Sequence, residues 1–141
     1  MSKRFTLRDA QRLLPEVERL LTEAMRLKPD LDESIAAVKQ MKERVHMQGG
    51  MLIDRTAALE MRQRRETASK LLRKAVEEIL ELGVQIKDID IGLVDFPTRF
   101  HGREVYLCWK LGENDIEYWH GEEGFRGRKP IDRDFLDNHG E

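Results

Sequence analysis

The sequence lacks the features that mark a secreted or membrane protein. Cys108 is the only cysteine, so no internal disulfide framework can form and a reducing compartment is the simpler expectation. No window approaches the roughly 20 consecutive apolar residues that a membrane helix needs, and the N-terminus has no apolar core of signal-peptide type. We therefore expect a soluble, cytoplasmic protein with no membrane partner.

The sequence also has little net charge and few aromatic residues. Charged residues make up 37% of the chain, yet the net charge is only −2, so the molecule as a whole does not attract nucleic acid. We find no phosphate-binding loop, no nucleophile elbow and no zinc motif of two histidines four residues apart on a helix. These absences favour a non-enzymatic binding or protein-interaction module as the leading hypothesis.

The N-terminal part of the chain has the apolar periodicity of amphipathic helices. Thr6 is a predicted N-cap with Asp9 three residues later, so a helix should begin at Leu7. We expect Pro15 to kink or restart this helix, because proline cannot donate a hydrogen bond and disfavours helical geometry before it. Pro29 is predicted to close it.

A helical hairpin is predicted next. A second helix should run to the turn at Gly49 and Gly50, and a third, capped by Asp54, should end at Gly83. The third helix would be roughly 43 Å long, which a single small domain cannot cover evenly. The hairpin should therefore project from the rest of the molecule, and a homodimer is the natural expectation.

After Gly83 the apolar period changes from helical to alternating. Strands are predicted within 84–94, 103–111 and 116–120, which would form a small antiparallel sheet of three or four strands. Glycines then punctuate a C-terminal coil. The sequence thus predicts an α+β fold in a single domain 1–141, with a helical lobe at 5–83, a β lobe at 84–131 and an acidic tail at 132–141 that frays.

Several stretches of the chain resemble one known family. They are the opening FTLRDAQRLLPEVERLL and the later runs GLVDFP, GREVYLCWKLGE, YWH and GFRGRKPI. These stretches resemble a prokaryotic family of uncharacterised proteins, domain-of-unknown-function family 2203, over nearly the whole chain. The resemblance implies a helical N-terminal half joined to a small β region. It carries no established activity, so the catalytic residues are unknown.

The β lobe contains a candidate metal site. His120 and Glu123 lie at the end of the last predicted strand, and Asp95 follows an apolar strand. Imidazole and carboxylate groups bind divalent ions, and a site with one position open for water would indicate a metal-dependent hydrolase or another metalloenzyme. His101, Cys108 and Glu113 fall in the same region. The spacing matches no known motif, so a packing role remains the favoured alternative, and Cys108 is predicted to be a core residue.

Two further hypotheses concern basic residues. Arg126, Arg128 and Lys129 on the glycine-spaced coil could bind a phosphate or carboxylate. We favour ion pairs with the neighbouring acids, which are Glu122, Glu123, Asp132 and Asp134. Basic residues also predominate from Arg55 to Lys74, which could track a nucleic-acid backbone. Without aromatic residues for base stacking, nucleic acid is the less favoured partner, and we prefer a contact with the acidic C-terminal segment of the same chain or of a partner chain.

Overall fold

The computed structural model describes residues 4–47 and 55–140. Within these ranges, a helical hairpin is followed by a five-stranded antiparallel sheet and a short C-terminal helix, which confirms the predicted α+β fold. The helices are α1 (Leu7–Met47), α2 (Arg55–Glu81) and α3 (Arg133–Asn138), and the strands are β1 (Gln85–Asp88), β2 (Leu93–Phe100), β3 (Arg103–Lys110), β4 (Tyr118–His120) and β5 (Lys129–Pro130).

Helix α1 begins where the sequence predicts and ends much later. The backbone N–H of Asp9 donates to the Thr6 hydroxyl at 3.1 Å, so Thr6 caps a helix that starts at Leu7. The helix then continues through Pro15 and Pro29, and the prediction that Pro29 closes it is wrong. Each internal proline removes one backbone hydrogen bond and costs about 3 kcal/mol. Packing of the apolar side chains of α1 against the sheet and α2 offsets that cost. Buried residues keep their helical spacing on both sides of Pro15, from Ala10 and Leu14 to Val17 and Leu21.

The hydrophobic core lies between the helices and one face of the sheet. Helix α1 contributes buried apolar residues at helical spacing, α2 contributes Ile79, and strands β2 and β3 contribute alternate residues. The core residues named from these three sources include Ala10, Leu14, Val17, Leu20, Leu21, Ile79, Val94, Phe96, Val105, Leu107 and Trp109. The sheet is therefore covered on this side, which we call the helix face.

The rest of the hairpin extends away from this core. Among the described side chains of residues 31–47 and 55–67, Ser34 is the one that is buried. The predicted turn at Gly49 and Gly50 and the predicted cap at Asp54 lie outside the described residues. In the described part of the chain, no helix combines the length and apolar character needed to cross a membrane.

A tight turn fixes the register of the sheet. His101 and Gly102 both have positive φ, at 51° and 76°, as the two central residues of a type I′ hairpin turn require. Strands β2 and β3 pair from Phe100 opposite Arg103 back to Leu93 opposite Lys110. The sheet has five strands in sequence order, because β5 pairs with β4 inside the segment predicted as coil.

The C-terminal segment docks onto the sheet through residue 140. The Asp132 side chain accepts a hydrogen bond from the Phe135 N–H at 2.9 Å and caps α3. Phe135 is fully buried and stacks on Trp119, and the Gly140 N–H donates to the Arg99 carbonyl at 2.7 Å. The predicted fraying tail is thus a packed helix, since one aromatic side chain anchors an otherwise acidic segment.

Candidate functional site

The face of the sheet opposite the helices, the polar face, holds three buried polar side chains. Strand alternation places Asp95 of β2, Cys108 of β3 and His120 of β4 there, with Asp95 directly opposite Cys108. Asp95 and Cys108 are fully buried and His120 is 4% exposed. Burying a carboxylate and an imidazole is costly unless each group is paired, so their contacts decide what the site can do.

The His120 ring bonds to an acceptor through each of its nitrogens. Nε2 lies 2.9 and 3.0 Å from the two carboxylate oxygens of Asp95, and Nδ1 lies 2.8 Å from the Gly121 carbonyl oxygen. A carbonyl cannot donate, and neither can an ionised carboxylate, so both ring nitrogens carry hydrogen. His120 and Asp95 therefore form a buried ion pair between an imidazolium and a carboxylate.

The pKa of His120 agrees with this assignment. Burial alone lowers the pKa of the imidazole, but hydrogen bonds to Asp95, Cys108 and the Gly121 carbonyl, together with the charge of Asp95, outweigh burial. The net effect raises the pKa from 6.5 to about 10. The ring is thus held in its charged form by its neighbours.

Cys108 completes a set of three potential metal ligands. One ligand atom each from Asp95, Cys108 and His120 lies within 4.8 Å of the other two, and no other such group occurs within residues 4–47 and 55–140. Carboxylate, thiolate and imidazole are all zinc ligands, and three protein ligands with one open position are typical of catalytic zinc sites. The bond from His120 Nδ1 to a backbone carbonyl is the usual anchor of a metal-binding histidine.

A cleft of about 410 Å³ opens onto this cluster. Asp95 and His120 line it, together with Lys87, Tyr106 and Phe125. Burial raises the pKa of the Tyr106 hydroxyl, and the negative charges of Glu104, Asp95 and Glu122 add to that effect. A small molecule in this cleft would lie beside Asp95 and His120.

The predicted metal ligands are partly brought together. Asp95 and His120 converge, whereas Glu123 lies outside the cluster of ligand atoms. Its carboxylate accepts the Gly121 N–H at 2.9 Å, and its pKa is lowered chiefly by backbone hydrogen bonds. The other two side chains noted in this region lie elsewhere: His101 is 3.4 Å from Asp134 at the surface, and Glu113 pairs with Arg128.

The structure separates the three cations predicted to bind an anion. The Arg128 guanidinium stacks over the Tyr118 ring at 4.0 Å and pairs with Glu113 at 2.9 Å, so it lies on the polar face. The Lys129 amine lies 5.0 Å from the Trp119 ring, on the helix face, and Arg126 is exposed. Anion binding at these residues stays a prediction.

Cys108 is the residue that the predicted ligand set omits. Its place in an alternating strand indicates burial, but burial does not reveal which side chains lie on the same face. A signal was present in the sequence: a two-residue turn at His101 and Gly102 would place Asp95 opposite Cys108. That turn pairs Asp95 with Cys108, whereas the approach of His120 depends on the separate pairing of β4 with β3.

Fold and cluster together define an α+β protein in which a helical hairpin covers one face of an antiparallel sheet and a buried Asp–Cys–His group occupies the other. Residues 3–131 match the family model described as "Uncharacterized conserved protein (DUF2203)", and the chain belongs to this family. The resemblance found in the sequence is thereby confirmed. No curated protein and no solved structure matches the chain.

Proposed function

We propose that the protein binds one divalent transition-metal ion, zinc being the best fit, through Asp95, Cys108 and His120. The observation that carries this proposal is the convergence of the three ligand atoms within 4.8 Å. Sulfur and imidazole ligands favour zinc over magnesium or calcium, which prefer oxygen. Arg128, whose guanidinium interacts with Cys108, supplies a positive neighbour for a thiolate ligand.

The contacts of Asp95 support a cation at this position. An ionised carboxylate offers about four lone-pair positions. Within the described residues, the hydrogen bonds that reach the Asp95 side chain both come from His120 Nε2. A metal ion would replace the Nε2 hydrogen and satisfy more of these lone pairs. Binding would release that proton while Gly121 continues to hold the ring through Nδ1.

The same geometry argues against a cysteine nucleophile activated by histidine. Such a nucleophile needs one ring nitrogen free to accept the thiol proton. Both nitrogens of His120 already bond to oxygen acceptors, and the thiol is fully buried. Metal binding therefore fits this cluster better than nucleophilic catalysis by Cys108 does.

Asp95 and His120 line the cleft of about 410 Å³, so a metal held by the three residues would lie beside a space that a small molecule can enter. Zinc in such a position lowers the pKa of a bound water to about 7 and polarises carbonyl or phosphoryl oxygens. We therefore propose metal-dependent hydrolysis as the reaction class. A non-enzymatic binding module is the alternative, and it predicts bound metal without turnover of ester, amide or phosphoester substrates.

The proposed metal site is tested by measuring the metal content of protein that is purified without a histidine tag or chelator. We expect about one zinc per chain, lost in Asp95→Asn, Cys108→Ser and His120→Gln, because each removes one of three ligands. Replacing zinc by cobalt should give a sulfur-to-cobalt charge-transfer band that Cys108→Ser abolishes. His101→Gln is the matched control, since His101 lies on the same sheet but outside the cluster. Absence of metal from the wild type after zinc loading would overturn the proposal.

We also propose that the projecting hairpin mediates homodimerisation. Two large apolar side chains in its projecting part are substantially exposed, Ile35 at 48% and Leu59 at 54%, and Leu71 further along α2 is 44% exposed. A second copy of the chain would cover them. Light scattering on the purified protein should give twice the mass of 16.6 kDa, and Leu59→Glu should restore the monomer. A monomer at all concentrations would exclude this assembly.

A further inference from the structure

The outer edge of β2 is covered by the chain itself. Beyond the end of β1, the Phe5 N–H donates to the Pro97 carbonyl at 2.8 Å, and the Gly140 N–H donates to the Arg99 carbonyl at 2.7 Å. Segments from both ends of the described chain thus satisfy backbone groups that an open sheet edge would otherwise expose. Proteins commonly protect such edges, because an uncovered edge can pair with another strand.

Within residues 4–47 and 55–140, nothing covers the corresponding edge of β3. The two-residue turn makes Phe100 and Arg103 a hydrogen-bonded pair, so in β3 the backbone of Glu104 faces away from β2. The same alternation of backbone direction is seen in β2, where the carbonyls of Pro97 and Arg99 point away from β3 and accept bonds from Phe5 and Gly140. Strand β4 pairs with β3 only as far as Tyr106 opposite His120. Glu104 lies two residues beyond that pair, where the described chain supplies no strand.

A notch replaces the missing part of β4. At Gly121 the chain turns away from β3, in a turn closed by the bond from the Gly121 N–H to Glu123. The space left is a cleft of about 910 Å³ with residues 103–106 on one side and residues 121–123 on the other. Phe100 and Trp119 line it as well. An extended chain that entered this cleft would lie between β3 and the turn at 121–123, whereas the edge of a second sheet would meet that turn.

We propose that this notch binds an extended peptide segment, which continues the line of β4 and pairs with the free N–H and carbonyl of Glu104. The peptide residue opposite Glu104 points to the polar face, and its neighbours point towards the Trp119 and Phe100 rings. These rings select an apolar or aromatic side chain at the neighbouring position. Main-chain pairing supplies affinity and the rings supply specificity, as in other cases of strand addition.

The notch and the smaller cleft above Asp95 and His120 share Tyr106, Gly121 and Glu122. At about 3.4 Å per residue, a peptide residue paired with Glu104 lies roughly 7 Å along the strand from His120. Peptides are therefore the substrate class of the metal centre. This last step rests on the proposed function, whereas peptide binding in the notch does not.

The test uses an array of capped pentapeptides randomised at each position, probed with the full chain and followed by fluorescence anisotropy of the strongest binder. Glu104→Pro removes the N–H that faces the notch and leaves the pairing with β2 in place, because that N–H takes no part in it. We expect binding about three- to tenfold weaker, the effect of one hydrogen bond. Glu104→Ala is the matched control. Like Glu104→Pro it lacks the glutamate side chain, but it retains the backbone N–H and should bind the peptide like the wild type.

A second measurement uses only the wild type. Hydrogen exchange at the Glu104 amide should be fast in the free protein and slowed by the bound pentapeptide, whereas the Val105 amide, which faces β2, should not change. An array without binders, or equal exchange at Glu104 with and without peptide, overturns the proposal. Each experiment is run on chelator-treated and zinc-loaded protein. Binding in both forms without cleavage would refute the hydrolase and leave the peptide site standing.

Discussion

The two faces of the sheet both contain fully buried side chains, but they differ in chemistry. On the helix face of β2 and β3, alternate positions are apolar except for the buried Thr98, and they pack against α1 and α2. One residue further along the same strands, the polar face buries Asp95 and Cys108 completely, and His120 of β4 lies beside them. The difference shows that burial alone does not define a core. An apolar face is held by packing, whereas a buried polar face is tolerated only where its groups satisfy one another.

The largest effect is expected on the helix face. Phe96 is fully buried and lies edge-on to the Phe5 ring, with centroids 5.4 Å apart. Phe96→Ala should lower the free energy of unfolding by about 3 to 5 kcal/mol, because it leaves a cavity that the sheet cannot close. Urea denaturation measures this loss. Zinc content per folded chain should be unchanged, and a loss of metal in folded protein would contradict the separation of the two faces.

On the polar face, Asp95→Ala should cost about 3 kcal/mol in the metal-free protein, because it leaves the His120 imidazolium buried without its partner. Replacing both residues, as in Asp95→Ala with His120→Leu, should recover much of that loss, since no charge then remains buried. The double-mutant cycle in urea is the measurement. Additive losses from the two single variants would show that the pair is not coupled.

The pH dependence of the free energy of unfolding should also distinguish the polar face from the helix face. The pKa of His120 is raised in the folded protein, from 6.5 to about 10, so the folded state binds the proton more tightly than the unfolded state. This contribution to stability is fully present below pH 6.5 and is lost as the pH rises through about 10. In chelator-treated protein, the urea midpoint should therefore fall over this window. His120→Gln should abolish the fall, whereas Phe96→Ala should retain it.

The smallest effect is expected for Glu123→Gln. Glu123 is exposed, and its bond from the Gly121 N–H can be accepted by a glutamine side-chain oxygen. We expect a stability change within about 0.5 kcal/mol and undiminished zinc binding. A loss of zinc equal to that of His120→Gln would show that Glu123 is also a ligand.

Much of the architecture follows from local patterns that the sequence contains. The Thr6 cap, the start of α1 at Leu7 and the alternation in β3 depend on neighbours a few residues apart, so they could be predicted. The continuation of α1 through Pro29 could not, because it depends on packing against α2. The docking of α3 likewise depends on Phe135 reaching Trp119, a contact between distant parts of the chain.

The candidate site divides in the same way. By itself, the sequence determined the family, the α+β order of elements and the presence of Asp95 and His120 in one β region. Only the tertiary structure decided that Cys108 joins them and Glu123 does not, and that the Glu104 backbone lies at an edge that no strand of the described residues covers. The physical reason is that a strand pattern fixes which residues alternate, whereas strand register and the path of the turn at Gly121 fix which side chains and backbone groups meet.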